Sequence, residues 1–419
     1  MKLVVLLTFT CLFFFCPESP AQRCNAQEQL ARDEAHNPSL RQKRSQMAHQ
    51  ISDWLANNAN AVQNRSVITL PVVVHVVWKD AEENISDDQI LSQLAVLNED
   101  FRMINDNLDI VPEEFQLLIT DIELEFCLAE LDPDGNPSTG ITRTQTDIEN
   151  VGTAIANGSR AIFYDDNGGK NAWSTAQYIN IWVARREFAL GAATFPGQAS
   201  EETDGIVIDP YYFGRTGLAA ESMPFHLGKT LSHEMGHYFG LSHLNGPNAS
   251  SDCNEDDGLE DTPNQDGTYL GECPTHPVES CGSNDMFMNI MSLTNDECLA
   301  LFTLDQKMLM LANLNEFRSG LLDTPACTPT AVNTPVNPAL DFRLIPNPAK
   351  NQVQIQFEMP ISEGFYINLY SSAGSLLLKR YIFPPNSLTF DLKSFQAGIY
   401  IVEIRAKDYV QSRKLVILD

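Results

Sequence analysis

Positive charge is scarce in this 419-residue sequence: 27 lysines and arginines face 55 aspartates and glutamates, for a formal net charge of -28. Such a chain repels polyphosphate, which sets nucleic acid aside as a partner, and it favours solubility and cation binding. Long apolar runs are also missing. The one candidate, Leu3 to Phe15, is shorter than the roughly 20 residues a membrane-spanning helix needs. With Lys2 before it and Ser19-Pro20-Ala21 after it, it reads as a signal peptide over residues 1–21, leaving no transmembrane segment once removed. None of the nine cysteines forms a CxxC pair. Signal removal takes Cys11 and Cys16 and leaves Cys24, Cys127, Cys253, Cys273, Cys281, Cys298 and Cys327. In an exported chain the four between 253 and 298 predict two disulfides rather than a second metal site, and the odd total leaves at least one thiol unpaired.

The chain is too long for one ordinary domain. Residues 22–64 are polar, carry Arg41, Lys43 and Arg44, and show helical spacing at Met47, Ile51, Trp54 and Leu55, as a helical pro-segment would. ITLPVVVHVVW, residues 68–78, is a β-branched run typical of a buried strand, and further strands are predicted at 122–131, 178–184 and 205–210. Residues 84–101 predict a helix with Ser86 as N-cap. Strands alternating with helices, then a long Asp-rich and Cys-rich irregular stretch, predict an α/β domain over residues 65–323. Residues 324–340 are rich in Pro and Thr and read as an extended linker. Beyond them the period changes to two: Val353, Ile355, Phe357 and Met359 alternate with polar residues, so residues 341–419 are predicted to form a small all-β sandwich.

Histidine is sparse as well, with eight in the chain, yet three fall within HEMGHYFGLSH at 233–243. On a helix, residues four apart share a face, so His233 and His237 can point at one metal ion with Glu234 beside them. Gly240 permits a positive φ that ends the helix and lets the turned chain bring in His243. Three imidazoles leave the fourth position of a zinc ion open for water, the catalytic rather than the closed structural arrangement, with Glu234 placed to take the water's proton. The bland alternative is a polar helix face; the full eleven-residue spacing makes chance a poor account of it. The other five histidines, His36, His49, His75, His226 and His276, form no such cluster. Met291, in FMNIMSL some 50 residues past His243, lies where a methionine turn would run beneath a zinc site.

These motifs, together with NISDDQILSQLAVLNEDF, GGKNAW, YINIWV, DGIVID, DDGLEDTPNQ, MFMNIM and DEC, resemble the pappalysin family of metzincin peptidases over residues 68–320. The resemblance implies a two-lobed α/β (α+β) metzincin fold, zinc held by His233, His237 and His243, Glu234 as general base and acid, and Met291 in the turn. It also implies pairing of Cys253 with Cys281 and Cys273 with Cys298, a structural calcium held by Asp257, Glu260 and Thr262, and a peptide-binding edge strand at LGAATFPG, 190–197. Asp296 matches the aspartate that, in Arg- and Lys-selective relatives, lies at the base of the pocket for the residue after the scissile bond. Cys24, in RCNAQEQL, matches a latency cysteine whose thiolate blocks the metal, although Asn25 replaces the usual glycine. Asn64-Arg65 is then a candidate self-activation bond. One departure stands out: Ser292-Leu293 replaces the family's Asp-Tyr, and leucine has no hydroxyl for an oxyanion.

LIPNPAKNQVQIQF, LYSSAGSLLL, FQAGIYIVEI and the basic RKLVIL resemble the C-terminal sorting domain of type IX secretion cargo, an Ig-like sandwich. This implies export across an outer membrane, with the product secreted or attached to the cell surface and the secretion machinery as a partner. The expectation is a secreted zinc endopeptidase, made as a latent precursor, that cuts extracellular proteins before Arg or Lys. Its alternative is a surface binding protein on an inactive metzincin scaffold, suggested by Leu293.

Overall fold

A computed structural model describes residues 22–62, 67–246, 253–267, 269–324, 327, 342–357, 365–371, 376–382, 387–393, 395–406 and 409–418. The signal peptide, the Asn64-Arg65 bond and nearly all of the 324–340 linker lie outside these residues. The N-terminal segment is not purely helical. It opens with a strand, β1 (Gln22–Cys24), followed by α1 (Ala26–His36) and α2 (Pro38–Val62). Met47 and Ile51 are buried along α2, as their spacing requires.

Next come β2 (Ile68–Trp78), α3 (Asp87–Phe101), β3 (Leu124–Leu128) and β4 (Ile141–Gln145). A two-residue-per-arm hairpin, β5 (Ile155–Ala156) and β6 (Ser159–Arg160), precedes β7 (Ile179–Val183), β8 (Ala189–Ala193) and β9 (Ile206–Ile208). Ser86 caps α3 by accepting from the Gln89 N–H at 3.2 Å. The sheet runs β1-β8-β9-β7-β2-β3, and β4 also pairs with β2. β2 is long enough to hold β3 along its first half and β4 along its second, both parallel. β7 lies parallel on its other side. Central strands buried on both faces need a continuous β-branched run, which is what β2 supplies. Only β8 runs antiparallel to β9, and its outer edge takes β1 in parallel, Cys24 opposite Gly191.

The main apolar core joins β2, β3, β7 and β9 to α3, to α4 (Lys229–Tyr238) and to α5 (Leu304–Phe317). Within the Cys-rich stretch, β10 (Glu279–Ser280) and β11 (Ser283–Asn284) make a small hairpin. Three disulfides form: Cys253–Cys281, Cys273–Cys298 and Cys127–Cys327. The third joins the two cysteines whose partners sequence spacing leaves open. Among the described residues Cys24 is the free thiol.

The C-terminal strands form two sheets, one of β12 (Phe342–Ile345), β13 (Gln352–Phe357) and β16 (Ser387–Asp391), the other of β14 (Phe365–Ser371), β15 (Leu376–Ile382), β17 (Gly398–Ala406) and β18 (Tyr409–Ile417). Side chains of β13 alternate strictly between exposed and buried, and Val353, Ile355 and Phe357 enter a core shared by the two sheets. No described helix is long and apolar enough to cross a membrane.

Candidate metal centre and cleft

α4 is anchored before it carries any chemistry. Buried Asp100, near the end of α3, accepts from Lys229 Nζ at 2.5 Å and from Ser232 Oγ at 2.6 Å, which ties the first turn of α4 to α3. The helix gives out after Tyr238, and Gly240, at φ 98°, turns the chain so that the Leu241 N–H bonds back to the Gly236 carbonyl at 2.9 Å. That turn brings His243 against His233 and His237. Both Nε2–Nε2 distances to His243 are 3.1 Å, and all three rings are buried.

The donor chemistry of these rings fits a metal ion. His233 Nδ1 faces the Ile290 carbonyl at 2.8 Å and His237 Nδ1 the Leu241 carbonyl at 2.7 Å. A carbonyl only accepts, so each Nδ1 carries the hydrogen and each Nε2 presents a lone pair inward. His243 can donate to one of those lone pairs at most; a cation satisfies all three. Burial pushes the His237 imidazole down to about 4 and those of His233 and His243 well below the usual histidine range, so the rings are held neutral as ligands must be. Cys24 Sγ completes a group of four ligand atoms lying within 4.8 Å of one another, all buried.

Glu234 is fully buried beneath Gly191 of β8, and neither carboxylate oxygen has a hydrogen-bond partner. Burial raises it to about 7, against the opposing pull of the neighbouring Cys24 thiol, Arg186 and Arg23. Burial in turn pushes the Cys24 thiol well up, with Glu234 adding to the rise. A side chain at Gly191 would come within 2.8 Å of Glu234 Cγ, so the strand must be bare at this point. Met291 is buried under α4, its sulfur where a Cβ on Gly236 would fall. Spacing identifies the histidines, but the need for glycine at 191 and 236 arises only when strand, helix and turn meet.

Asp296 sits at the N-terminal end of α4, where its Oδ2 accepts from the Leu227 N–H at 2.8 Å and the Lys229 N–H at 3.4 Å. Its Oδ1 takes Arg23 Nη2 at 2.8 Å, with both side chains completely buried, and Arg23 also donates to the Thr294 carbonyl at 2.5 Å. Adjacent residues of β1 therefore reach two sites at once, Arg23 the carboxylate and Cys24 the histidines. Leu293 packs with Cys24, Ala26, Leu30, Leu40 and Phe195, so its side chain meets the N-terminal segment.

Of the residues expected to hold calcium, Asp257 and Thr262 come together, with Thr262 Oγ1 donating to Asp257 Oδ1 at 2.7 Å. Glu260 is exposed and is not joined to them. Asp257 Oδ2 is buried without a partner, and burial lifts this carboxyl to about 7.

The profile of the family described as "Pregnancy-associated plasma protein-A" matches residues 163–315, and that of the "Secretion system C-terminal sorting domain" matches residues 343–418. Mature mirolysin of Tannerella forsythia, solved with a cleaved peptide, is 40% identical, covers 62% of this chain and 97% of its own, and superposes with a TM-score of 0.57. A mutant of promirolysin from the same organism is 36% identical, covering 72% of this chain and 97% of its own with a TM-score of 0.59. An extracellular metalloprotease of Pyricularia oryzae is 28% identical over 277 residues, 63% of this chain and 81% of that protein.

Proposed function

Because the chain belongs to the pappalysin family of metallopeptidases and carries a type IX sorting domain, we propose that it is a zinc endopeptidase, made latent, that cuts proteins before arginine or lysine. It is an exported protein, secreted or held at the cell surface. The observation that carries the peptidase reading is the convergence of three neutral imidazoles with one unpartnered carboxylate, Glu234, beside them. His233, His237 and His243 would hold zinc, which would supply Lewis acidity toward a peptide carbonyl and toward water. Glu234 accepts a proton in the attack and returns it to the departing amine. Its desolvated setting suits both duties, since the carboxyl gains and loses a proton near neutrality. The Ile290 carbonyl keeps the His233 ring oriented, and Met291 packs beneath α4 at Gly236. The fold is read as a two-lobed metzincin domain over residues 65–323, with an Ig-like sandwich over 341–419.

Basic specificity is supported by the buried Arg23–Asp296 pair, because the chain's own guanidinium occupies the seat that a substrate side chain would take. Latency over residues 22–64 is supported by the same strand: Cys24 stands at the histidines as a fourth ligand would and excludes water from Glu234. Asp257 and Thr262 are the basis for a calcium site, with Glu260 reaching them only after a side-chain movement.

Hydrolysis of a peptide library by zinc-loaded processed protein, beside a Glu234→Ala variant, tests this reading. Cleavage should fall roughly 100- to 10,000-fold in the variant, and the residues after the cut bonds should be arginine and lysine. Equal cleavage in both proteins, or none in either, would return the molecule to a surface binding role on an inactive scaffold.

A further inference from the structure

The N-terminal segment points to a second recognition site on the other side of the metal. Arg23 precedes Cys24 and pairs with Asp296, whereas the residues that follow Cys24 meet two arginines of the main sheet region. Arg186 is buried; its Nη2 donates to Asn25 Oδ1 at 3.1 Å and its Nε to the Ala189 carbonyl at 2.9 Å. Arg160 lies over the Phe163 ring at 4.9 Å and donates to the Gly152 carbonyl at 2.9 Å and to Gln29 Oε1 at 3.4 Å. Neither guanidinium has a carboxylate bonded to its side chain among the described residues. Burial, with repulsion from Arg186 added, brings Arg160 down to about 9, while Arg186 has the carboxylates of Glu234 and Asp209 near it.

Arg160 also walls an open cavity of about 310 Å³, shared with Phe163, Thr194 and Gln198 and with Gln29 and Asp33 of α1. Asp33 Oδ2 accepts there from Gln198 Nε2 at 2.8 Å, and it is the carboxylate that supports the charge on Arg160. The chain itself thus seats an acidic side chain in this cavity. Removing residues 22–64 takes away Asn25, Gln29 and Asp33 together; Arg186 keeps the nearby carboxylates of Glu234 and Asp209, whereas Arg160 loses the one carboxylate that supports its charge. A partly desolvated guanidinium without an anion is unfavourable, and a cation lining a cavity of low dielectric attracts anions even in a chain of net charge -28.

We propose that Arg160, with Arg186 as its cationic neighbour, forms a subsite for an aspartate or glutamate of the substrate, on the side preceding the scissile bond, opposite Asp296. This rests on the peptidase reading, since the side is defined by a basic residue seated at Asp296. The favoured substrate then carries an acidic residue before the cut and a basic one after it.

The test uses processed enzyme and peptide pairs that differ only by Asp against Asn, scanned through the positions before the bond. Wild type should favour Asp roughly tenfold in kcat/KM at one position, the effect of one charge-assisted hydrogen bond. That ratio should fall to about one in Arg160→Gln and persist in Arg160→Lys. A ratio near one at every position in the wild type overturns the proposal. Failure to cut either peptide rejects the peptidase reading instead, and binding decides the subsite. A synthetic peptide of residues 22–37 should then bind the processed protein roughly tenfold more tightly than its Asp33→Asn form; equal binding overturns the subsite.

Discussion

Gly236, between Glu234 and His237 on α4, shows how little room the metal centre has. A Cβ there would overlap the Met291 sulfur, and Leu241 Cδ1 would be 3.4 Å away. Gly236→Ala should therefore push α4 off the methionine turn and destabilise the protein by about 1–3 kcal/mol, the usual cost of overpacking. Thermal unfolding checks this, and zinc titration should show weaker binding, because His233 and His237 flank the displaced residue. His75 presents the opposite case, a histidine with no part in the cluster. It is buried in β2 with Nε2 facing Asn180 Oδ1 at 3.0 Å and Nδ1 facing Thr142 Oγ1 at 2.8 Å, a pattern that uses the neutral ring fully. Burial pushes it down to about 4. An unfolded chain takes up this proton near pH 6.5 and the folded one only near 4, so stability is complete above pH 6.5 and declines between the two values. The loss through that window should be about 3 kcal/mol. Urea midpoints measured from pH 7 to 4 should fall more steeply in wild type than in His75→Gln.

At the scale of elements, the proposed latency rests on β1, a strand of only three residues. β1 lies along the outer edge of β8, the side of that strand not paired with β9. The Arg23–Asp296 pair holds it there, and removing one member of a buried pair costs about 3–5 kcal/mol because the other charge is left alone. Arg23→Ala should accordingly loosen the N-terminal segment. The measurable outcome is hydrolysis by unprocessed protein, expected in the variant and absent in wild type. Equal latency in both would assign the hold to α2 instead, whose Arg44 lies over Phe195 and whose Lys43 reaches the Gly197 carbonyl at 3.3 Å.

For the whole molecule, Cys127–Cys327 closes a 200-residue interval and ties β3 to the end of the segment that follows α5. Cross-linking so long a loop restricts the unfolded chain most, and replacing both cysteines by serine should cost about 2–5 kcal/mol of stability. Denaturant unfolding under oxidising conditions reads that loss, and a native circular dichroism spectrum would show that the fold itself persists. The C-terminal sheets make a specific contact with the main body as well. Tyr366 of β14 donates to the Met103 carbonyl at 2.9 Å and joins the main core.

Local chemistry made the convergence of His233, His237 and His243 with Glu234 beside them, the β2 strand, the Ser86 cap and the alternating C-terminal strands legible, because each is a pattern within a few helix turns or one pleat. The N-terminal strand was hidden: QRC has too few residues to show a period, and it becomes a strand only because β8 offers an open edge. Leu293 had a similar fate. As a sequence feature it is a missing hydroxyl, whereas in the fold it is an apolar contact for residues more than 250 positions earlier. The sequence by itself determined which residues could bind a metal, since spacing along a helix decides which side chains share a face. Tertiary structure alone decided what surrounds them: Arg23 on Asp296, Cys24 at the imidazoles, and glycine where Glu234 and Met291 press in. Those pairings depend on close approach between distant segments, and no local period records that.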